Sequence, residues 1–396
     1  MPIIPPITHH SPPTHWLLLL LFILHPSSLI LSQDWPLIRG NAAMTGTSPT
    51  KLNFPLTLAW TTSLGDKARR EGVVATPVVR NGKVFIGSQT GRFTCLDLVT
   101  GKEIWRAEKK SYFESSAGFA GDLVIAGCGD SFVYAFDTGT GKEAWKFETQ
   151  GEIHAGVNVW TDPTGKVLIY IGSYDNYLYC LDGATGAKVW AYETANYVNG
   201  ASAIFNNQVV FGGCDGTLYS LDCATGKEMN KIEVGSYIGS NIAADKGIAY
   251  VAHYGNKVEA FNFADGKLLW SYNDRDFPYY AAPAVNGQFV ITGCRDKRVR
   301  CLTREKGEEK WQFRTRGDVD SSPVICGDAH VIFGSNDGNV YAADMAKGEE
   351  VWKYEIGAPV KSAPAVAGDY ILIGADDGSV YCFKNGSPKA PEGLKK

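Results

Sequence analysis

The 396-residue chain contains no CxxC pair, no two adjacent cysteines, and no HExxH, G-x-S-x-G, GKS or GKT sequence. The first absence removes the case for a zinc ribbon or a thioredoxin-like dithiol. The others remove zincin, α/β-hydrolase and phosphate-loop chemistry. Of seven histidines only His154, His253 and His330 lie beyond residue 32. They fall at different positions of the repeat described below, so no three-histidine metal site forms. Long apolar runs are also missing. "WLLLLLFIL" (Trp16 to Leu24) is broken by His25 and Pro26, which is short for a membrane span and suits the core of a secretory signal. The basic residues that usually precede such a core are absent, since no Lys or Arg occurs before Arg39. An uncleaved anchor or a misplaced start would read the same way. The expectation is a signal peptide over 1–32, cleavage near Ser32, and an exported (periplasmic or secreted) chain with no transmembrane domain once mature. A formal charge of −4 gives no electrostatic reason to expect nucleic acid.

What the chain has is glycine, 44 of them, with 44% hydrophobic residues, a composition for many short strands and tight turns. Aligned on tryptophan, it reads "TCLDLVTGKEIW" to Trp105, "YAFDTGTGKEAW" to Trp145, "YCLDGATGAKVW" to Trp190 and "YSLDCATGKEMN" to Asn230. Then come "EAFNFADGKLLW" to Trp270, "RCLTREKGEEKW" to Trp311 and "YAADMAKGEEVW" to Trp352. From Trp60 the intervals are 45, 40, 45, 40, 40, 41 and 41 residues. A period near forty made of alternating strands predicts the blades of an all-β propeller. The repeated glycines (Gly101, Gly141, Gly186, Gly226, Gly266, Gly307, Gly348) suit a turn with positive φ between the third and outer strands. The aspartates four residues before (Asp97, Asp137, Asp182, Asp222, Asp344) are placed to accept from backbone N–H groups of that turn. The tryptophans offer outer-strand surface for packing between blades. Asn230 interrupts the series, and Met229 or Tyr250 is expected to fill the gap.

Seven units are complete, and an eighth ends at "SVYCFK" without its tryptophan strand. The strand around Trp60 is therefore expected to pair near Ser379 to Lys384 and close an eight-bladed ring of four-stranded antiparallel blades. The domain plan is a signal over 1–32, a lead-in over 33–55, the propeller over 56–384 and a flexible tail over 385–396. The nine cysteines read as small buried residues rather than a disulfide framework: Cys95, Cys180, Cys301 and Cys382 share one repeat position, and Cys128, Cys214 and Cys294 another.

The pattern "LDxxTGKxxW" with "SSPxV" and "GSxDGxxYALD" resembles the pyrroloquinoline-quinone-like (quinoprotein-type) propeller repeats, over Trp60 to Phe383. "DWPLIRGNAAMTGTS" looks like the lead-in of large exported bacterial members. The resemblance implies an eight-bladed propeller that is either a quinone-dependent dehydrogenase or a noncatalytic outer-membrane assembly factor. Dehydrogenases of this type are much longer. Their alcohol-oxidising branch pairs vicinal cysteines with Glu, Asn and Asp calcium ligands, and this chain has no adjacent cysteines. No cofactor is therefore expected, pyrroloquinoline quinone with calcium being the alternative.

Function is sought where the repeat varies. Loops entering each inner strand crowd one mouth of a propeller channel. Two residues before each "SPxV"-like core stand Val74, Glu114, His154, Asn199, Gly239, Tyr280, Asp320 and Lys361. Two further upstream stand Gly72, Tyr112, Glu152, Tyr197, Tyr237, Pro278, Asp318 and Pro359. The candidate ligand-binding set is Tyr112, Glu114, Glu152, His154, Tyr197, Asn199, Tyr237, Tyr280, Asp318, Asp320 and Lys361. No catalytic or metal residue is assigned. This aromatic, net-acidic mouth suits a protein or peptide, a sugar, or a small cationic ligand; a solvated loop face with packed tyrosines has the same sequence. Glu152 and His154 also share one loop as an acid/base pair would. Lys67, Arg69 and Arg70, in a longer loop, are placed either to fold over the mouth or to form a surface insertion. "CRDKRVR" (Cys294 to Arg300) puts four basic residues on one hairpin, expected to face one side.

Overall fold

The computed structural model describes residues 1, 34–66 and 71–387. The expected signal beyond Met1, the loop residues Lys67, Arg69 and Arg70, and the tail from 388 on lie outside the described residues. The described residues of the unit Ser32–Lys396 are all-β: eight four-stranded antiparallel sheets follow one another in chain order, and one of them gains an additional short strand. Blade seven is typical, with strands Val324–Cys326, His330–Gly334, Asn339–Asp344 and Glu350–Glu355 from channel to rim. The inner three strands are buried on both faces, whereas the outer strand alternates between exposed and partly covered residues. That is the burial expected where sheets stack face to face around a ring. No helix among the described residues is long and apolar enough to cross a membrane.

The repeated glycine and tryptophan are one device. The indole Nε1 of Trp105 donates to Thr138 O of the next blade at 3.1 Å, and Trp311 does the same to Met345 O at 2.8 Å. The ring lies flat on the next blade's turn glycine. A Cβ on Gly141 would stand 2.6 Å from Trp105 Cδ2, and one on Gly348 2.5 Å from Trp311 Cδ2. These glycines have φ of 71° and 72°, so both conformation and close approach require them. The aspartates cap the turn as expected: Asp97 Oδ1 accepts from Thr100 N at 2.8 Å and from its hydroxyl at 2.7 Å.

At Asn230 the expected filling is wrong. Met229 is exposed, and Tyr250, though buried, packs 6.1 Å from Trp270 in the following interface. The amide Nδ2 of Asn230 takes the indole's role, donating to Phe263 O at 2.9 Å. Ile232, two residues on and on the same strand face, fills the space over Gly266.

Closure is as the pattern implied. Strand Thr57–Ser63 pairs antiparallel with Ser379–Lys384, Trp60 opposite Cys382, and Trp60 Nε1 donates to Leu98 O of blade one at 2.9 Å. The lead-in goes further than the sequence suggested, because it crosses the inner strands around the channel. Trp35 exchanges both backbone hydrogen bonds with Val79 of blade one. Ala42, Ala43, Thr45 and Gly46 accept from Ile204, Ala244, Val285 and Ile325, in blades four to seven, at 2.7–2.9 Å. Strand Thr47–Ser48 runs parallel to Val324–Cys326. Arg39 is fully buried; its Nη1 donates to Ser322 O at 3.1 Å, and its Nη2 to Pro323 O at 2.6 Å and Pro283 O at 3.3 Å. Burial without a carboxylate lowers its pKa to about 9.

All nine cysteines are unpaired. Eight are buried, as expected. Cys214 is the exception and corrects the shared position expected for it: it is only half-buried, because it stands one residue beyond the hairpin position of Cys128 and Cys294, at the tip.

Candidate functional site

Two sets of eight segments meet at one end of the channel: the loops entering the inner strands and the hairpins joining second to third strands. The backbone stitches them together. Gly129 N donates to Tyr112 O, Tyr174 N to Glu152 O, Cys214 N to Tyr197 O, Tyr254 N to Tyr237 O and Asn336 N to Asp318 O, at 2.8–3.0 Å. The upstream ring named from the sequence is thus the layer into which the hairpin tips lock. Those tips, Gln89, Gly129, Tyr174, Cys214, Tyr254, Arg295, Asn336 and Asp376, form a third ring that the sequence reading missed. A signal for it existed: in blades two, three, six and seven the hairpin reads "G-S/C-x-D", and the tip is its one strongly varying residue.

The ring has three sectors. In the first, Gln89 Nε2 donates to Glu114 Oε1 at 2.6 Å, and Glu114 Oε2 meets His154 Nδ1 at 3.0 Å. The other imidazole nitrogen lies 3.3 Å from Tyr112 Oη and 3.4 Å from Glu152 Oε2. Burial works against a charge on His154, yet its bonds to Glu114 and Glu152 outweigh it and raise the pKa above the ordinary histidine value. Glu114 is held below the usual carboxylate value; burial opposes this, and the bonds from His154 and Gln89 prevail. The closer partner of His154 is Glu114, from the neighbouring loop, rather than Glu152 within its own.

In the second sector a cavity of 260 Å³ opens between blades four and five, lined by Tyr174, Asn199, Cys214, Tyr237, Gly239 and Tyr254. Tyr174 donates to Asn199 Oδ1 at 3.0 Å and Asn199 Nδ2 to Gly239 O at 3.1 Å. Tyr174 stacks on Tyr197 with centroids 4.5 Å apart and planes 4° from parallel. Tyr197 and Tyr237 remain 45% and 51% exposed.

The third sector is ionic. The Arg295 guanidinium lies 3.2 Å from the Tyr280 ring centroid and pairs with Asp320, Nε to Oδ1 at 2.9 Å and Nη2 to Oδ2 at 3.2 Å. Asn336 Nδ2 also donates to Asp320, at 3.0 Å, and Lys361 pairs with Asp376. Asp318 enters through its backbone carbonyl. The expected basic face of the Cys294–Arg300 hairpin does not form. Arg295 turns into the mouth, Arg298 pairs with Asp296, and Arg300 is buried against Asp296 and Asp274. Alternation along a strand sends neighbouring side chains to opposite faces, and Asp296 neutralises those that turn inward.

A tricarboxylate quinone with a calcium ion would need cations facing the mouth and an uncommitted set of oxygen ligands. Arg295 and Lys361 are each already paired with an aspartate, and Glu114 and Glu152 are bound to His154. Among the described residues no group of three or more His, Cys, Asp or Glu is arranged to hold a metal. In the mouth these cations and carboxylates are committed to one another.

Comparison with known proteins agrees with the architecture. A solved quinohemoprotein alcohol dehydrogenase from Comamonas testosteroni superposes with a TM-score of 0.77 at 17% identity, covering 91% of this chain and 82% of that one. BamB from Moraxella catarrhalis superposes at 0.69 with 20% identity, covering 85% and 99%. At these identities the likeness is one of fold. Among curated sequences, the outer membrane protein assembly factor BamB of Nitrosomonas eutropha is 34% identical over 99 residues, 25% of this chain and 23% of that protein. The quinoprotein ethanol dehydrogenase of Pseudomonas aeruginosa is 31% identical over 134 residues, 29% of this chain and 21% of that protein. The matched stretches thus span under a quarter of each of these two relatives. The family model described as "Outer membrane protein assembly factor BamB" matches residues 57–197 and 174–387, essentially the whole ring, and the chain belongs to that family.

Proposed function

We propose that the chain is an exported, noncatalytic propeller that binds a protein or peptide, or a small cationic ligand, at the channel mouth and uses no quinone. The observation that carries this reading is the composition of the mouth: exposed tyrosines on one side, and carboxylates outnumbering cations around the rim. Aromatic anchors supply binding area at small entropic cost, while the carboxylates steer a cationic partner toward it. Glu152 enters blade three and Asp318 and Asp320 enter blade seven, four blades apart in a ring of eight, so the acidic groups flank the channel from opposite sides. The name that several relatives carry, outer membrane protein assembly factor, fits an exported protein-binding role. A quinone-dependent oxidoreductase is the competing reading, favoured by the dehydrogenases among the relatives.

The test is a pull-down from the native exported fraction with the wild type and a folded Tyr112→Ala, Tyr197→Ala, Tyr237→Ala variant. Loss of partners in the variant, and slower capture at raised salt, is the expected result. Equal recovery would move the search to the blade edges or the opposite face. A thermal shift and a quinone absorbance on adding pyrroloquinoline quinone with calcium would favour the dehydrogenase reading instead.

A further inference from the structure

The cavity between blades four and five exists because two ring positions are small there. At the hairpin tip, blades three, five and six carry Tyr174, Tyr254 and Arg295, and blade four carries Cys214. At the loop position before the inner strand, blades three and six carry His154 and Tyr280, and blade five carries Gly239. The ring is therefore notched, with tyrosine walls left standing on either side. A Cβ on Gly239 would lie 3.0 Å from Tyr254 Cε2, so any larger residue there would press on the tyrosine wall.

The chain itself shows what such a site accepts. At the neighbouring interface Arg295 covers the face of Tyr280, and Tyr280 packs against Tyr254 with centroids 4.4 Å apart. A planar guanidinium is weakly hydrated and stacks on aromatic faces, so it loses little on entering such a slot. We propose that the notch receives the guanidinium of an arginine side chain from a bound peptide, held among the tyrosines that line it, Tyr174, Tyr237 and Tyr254. It would stand beside the short tip of blade four, as the Arg295 guanidinium stands at the tip of blade six, two blades further on. Asn199 Oδ1 and Gly239 O each accept one hydrogen bond, from Tyr174 and Asn199, and each has a second lone pair for a further donor. The inference rests on the mouth being a binding surface and names the group recognised there.

Cys214 gives a local readout, because it lines the notch and is the one cysteine of nine that is not buried. The probe is acetyl-Gly-Arg-Gly-amide, with the citrulline and lysine analogues as controls, added to the folded wild-type protein before a small thiol-methylating reagent. The expected result is that the arginine peptide slows Cys214 modification strongly, the lysine peptide less and the citrulline peptide hardly at all. Filling the notch by Cys214→Leu, in protein that melts like the wild type, is expected to weaken the arginine peptide by about tenfold or more in calorimetry. Equal protection by arginine and citrulline, unchanged affinity in C214L, or binding of the arginine peptide without protection of Cys214 would each overturn the notch. The last of these would leave the mouth itself standing as a binding surface, whereas no binding of the peptide together with unaltered pull-down by the tyrosine variant would overturn both.

Discussion

Gly348 and Gly266 hold the same turn in blades seven and five with φ of 72° and 73°, yet they meet different neighbours. A Cβ on Gly348 falls 2.5 Å from Trp311, whereas one on Gly266 finds its nearest atom, Ile232 Cγ1, at 3.4 Å. The left-handed strain of an alanine, about 1–2 kcal/mol, is common to both sites. Only Gly348→Ala adds overpacking against an indole, about 1–3 kcal/mol more. Urea denaturation is expected to show G348A clearly less stable than G266A; equal losses would mean that the tryptophan does not press on its glycine. The same geometry governs Asn230→Trp. Asn230 already supplies the inter-blade hydrogen bond, and Ile232 already fills the seat, so a new indole must displace a buried side chain. The expected outcome is a melting temperature unchanged or lowered, and a clear rise would show that the seat is unfilled.

At the scale of the element, the hairpin between second and third strands is where structure and specialisation separate. In five blades the aspartate after the tip accepts from a tyrosine four residues on: Tyr134 to Asp130, Tyr179 to Asp175, Tyr219 to Asp215, Tyr341 to Asp337 and Tyr381 to Asp377, at 2.6–2.9 Å. Blade six replaces that pair with Asp296 and Arg300, and blade five uses His253 with Glu259. With the hairpin held in this way, the tip residue is free to vary. In the first sector that freedom builds a titrating cluster. His154 faces Glu114, Glu152, Tyr112 and Tyr174, with Lys361 acting on Glu114. Its pKa is raised in the fold, so its contribution to stability is full below the unfolded value near 6.5 and is lost as pH rises through the higher folded value. The lowered pKa of Glu114 acts in the other sense: its contribution is present above the unfolded value of 4.5 and fades as pH falls through the folded one. Thermal melts of wild type and His154→Asn should therefore differ most between about pH 4.5 and 6.5 and converge toward alkaline pH. A gap that widens above pH 8 would show that His154 is held neutral.

Across the whole molecule, the features that repeat were legible and the features that join copies were not. Period, blade count, the turn glycines and the closing strand follow from each blade solving the same packing problem in the same residues. The third ring was missed because its members share a place but no residue type. The fate of "CRDKRVR" was misjudged because burial of Arg300 depends on Asp296 and Asp274 meeting it in three dimensions. Least legible was the lead-in, whose twenty-odd residues have no partner copy to be aligned with. Its backbone binds the inner strands of blades one and four to seven, and its Arg39 is sunk among carbonyl groups. The ring thus has two closures of different kind. One is a strand that completes blade eight along its full length. The other ties inner strands whose blades otherwise meet chiefly through side chains. Three truncations separate them: removal of residues 1–32, of 1–55 and of 1–62. The first is expected to melt like the full chain. The second loses the ties and the buried arginine but keeps the blade-eight strand, and should melt lower with the transition still cooperative. The third leaves blade eight with an open edge, and closure of a ring concentrates stability where the last strand is added. It should fall furthest, with a broadened transition and a tendency to associate through that edge. Equal melting temperatures for the first and third chains would refute closure by the strand at Trp60, and a second chain as stable as the first would show that the lead-in merely lies on the ring.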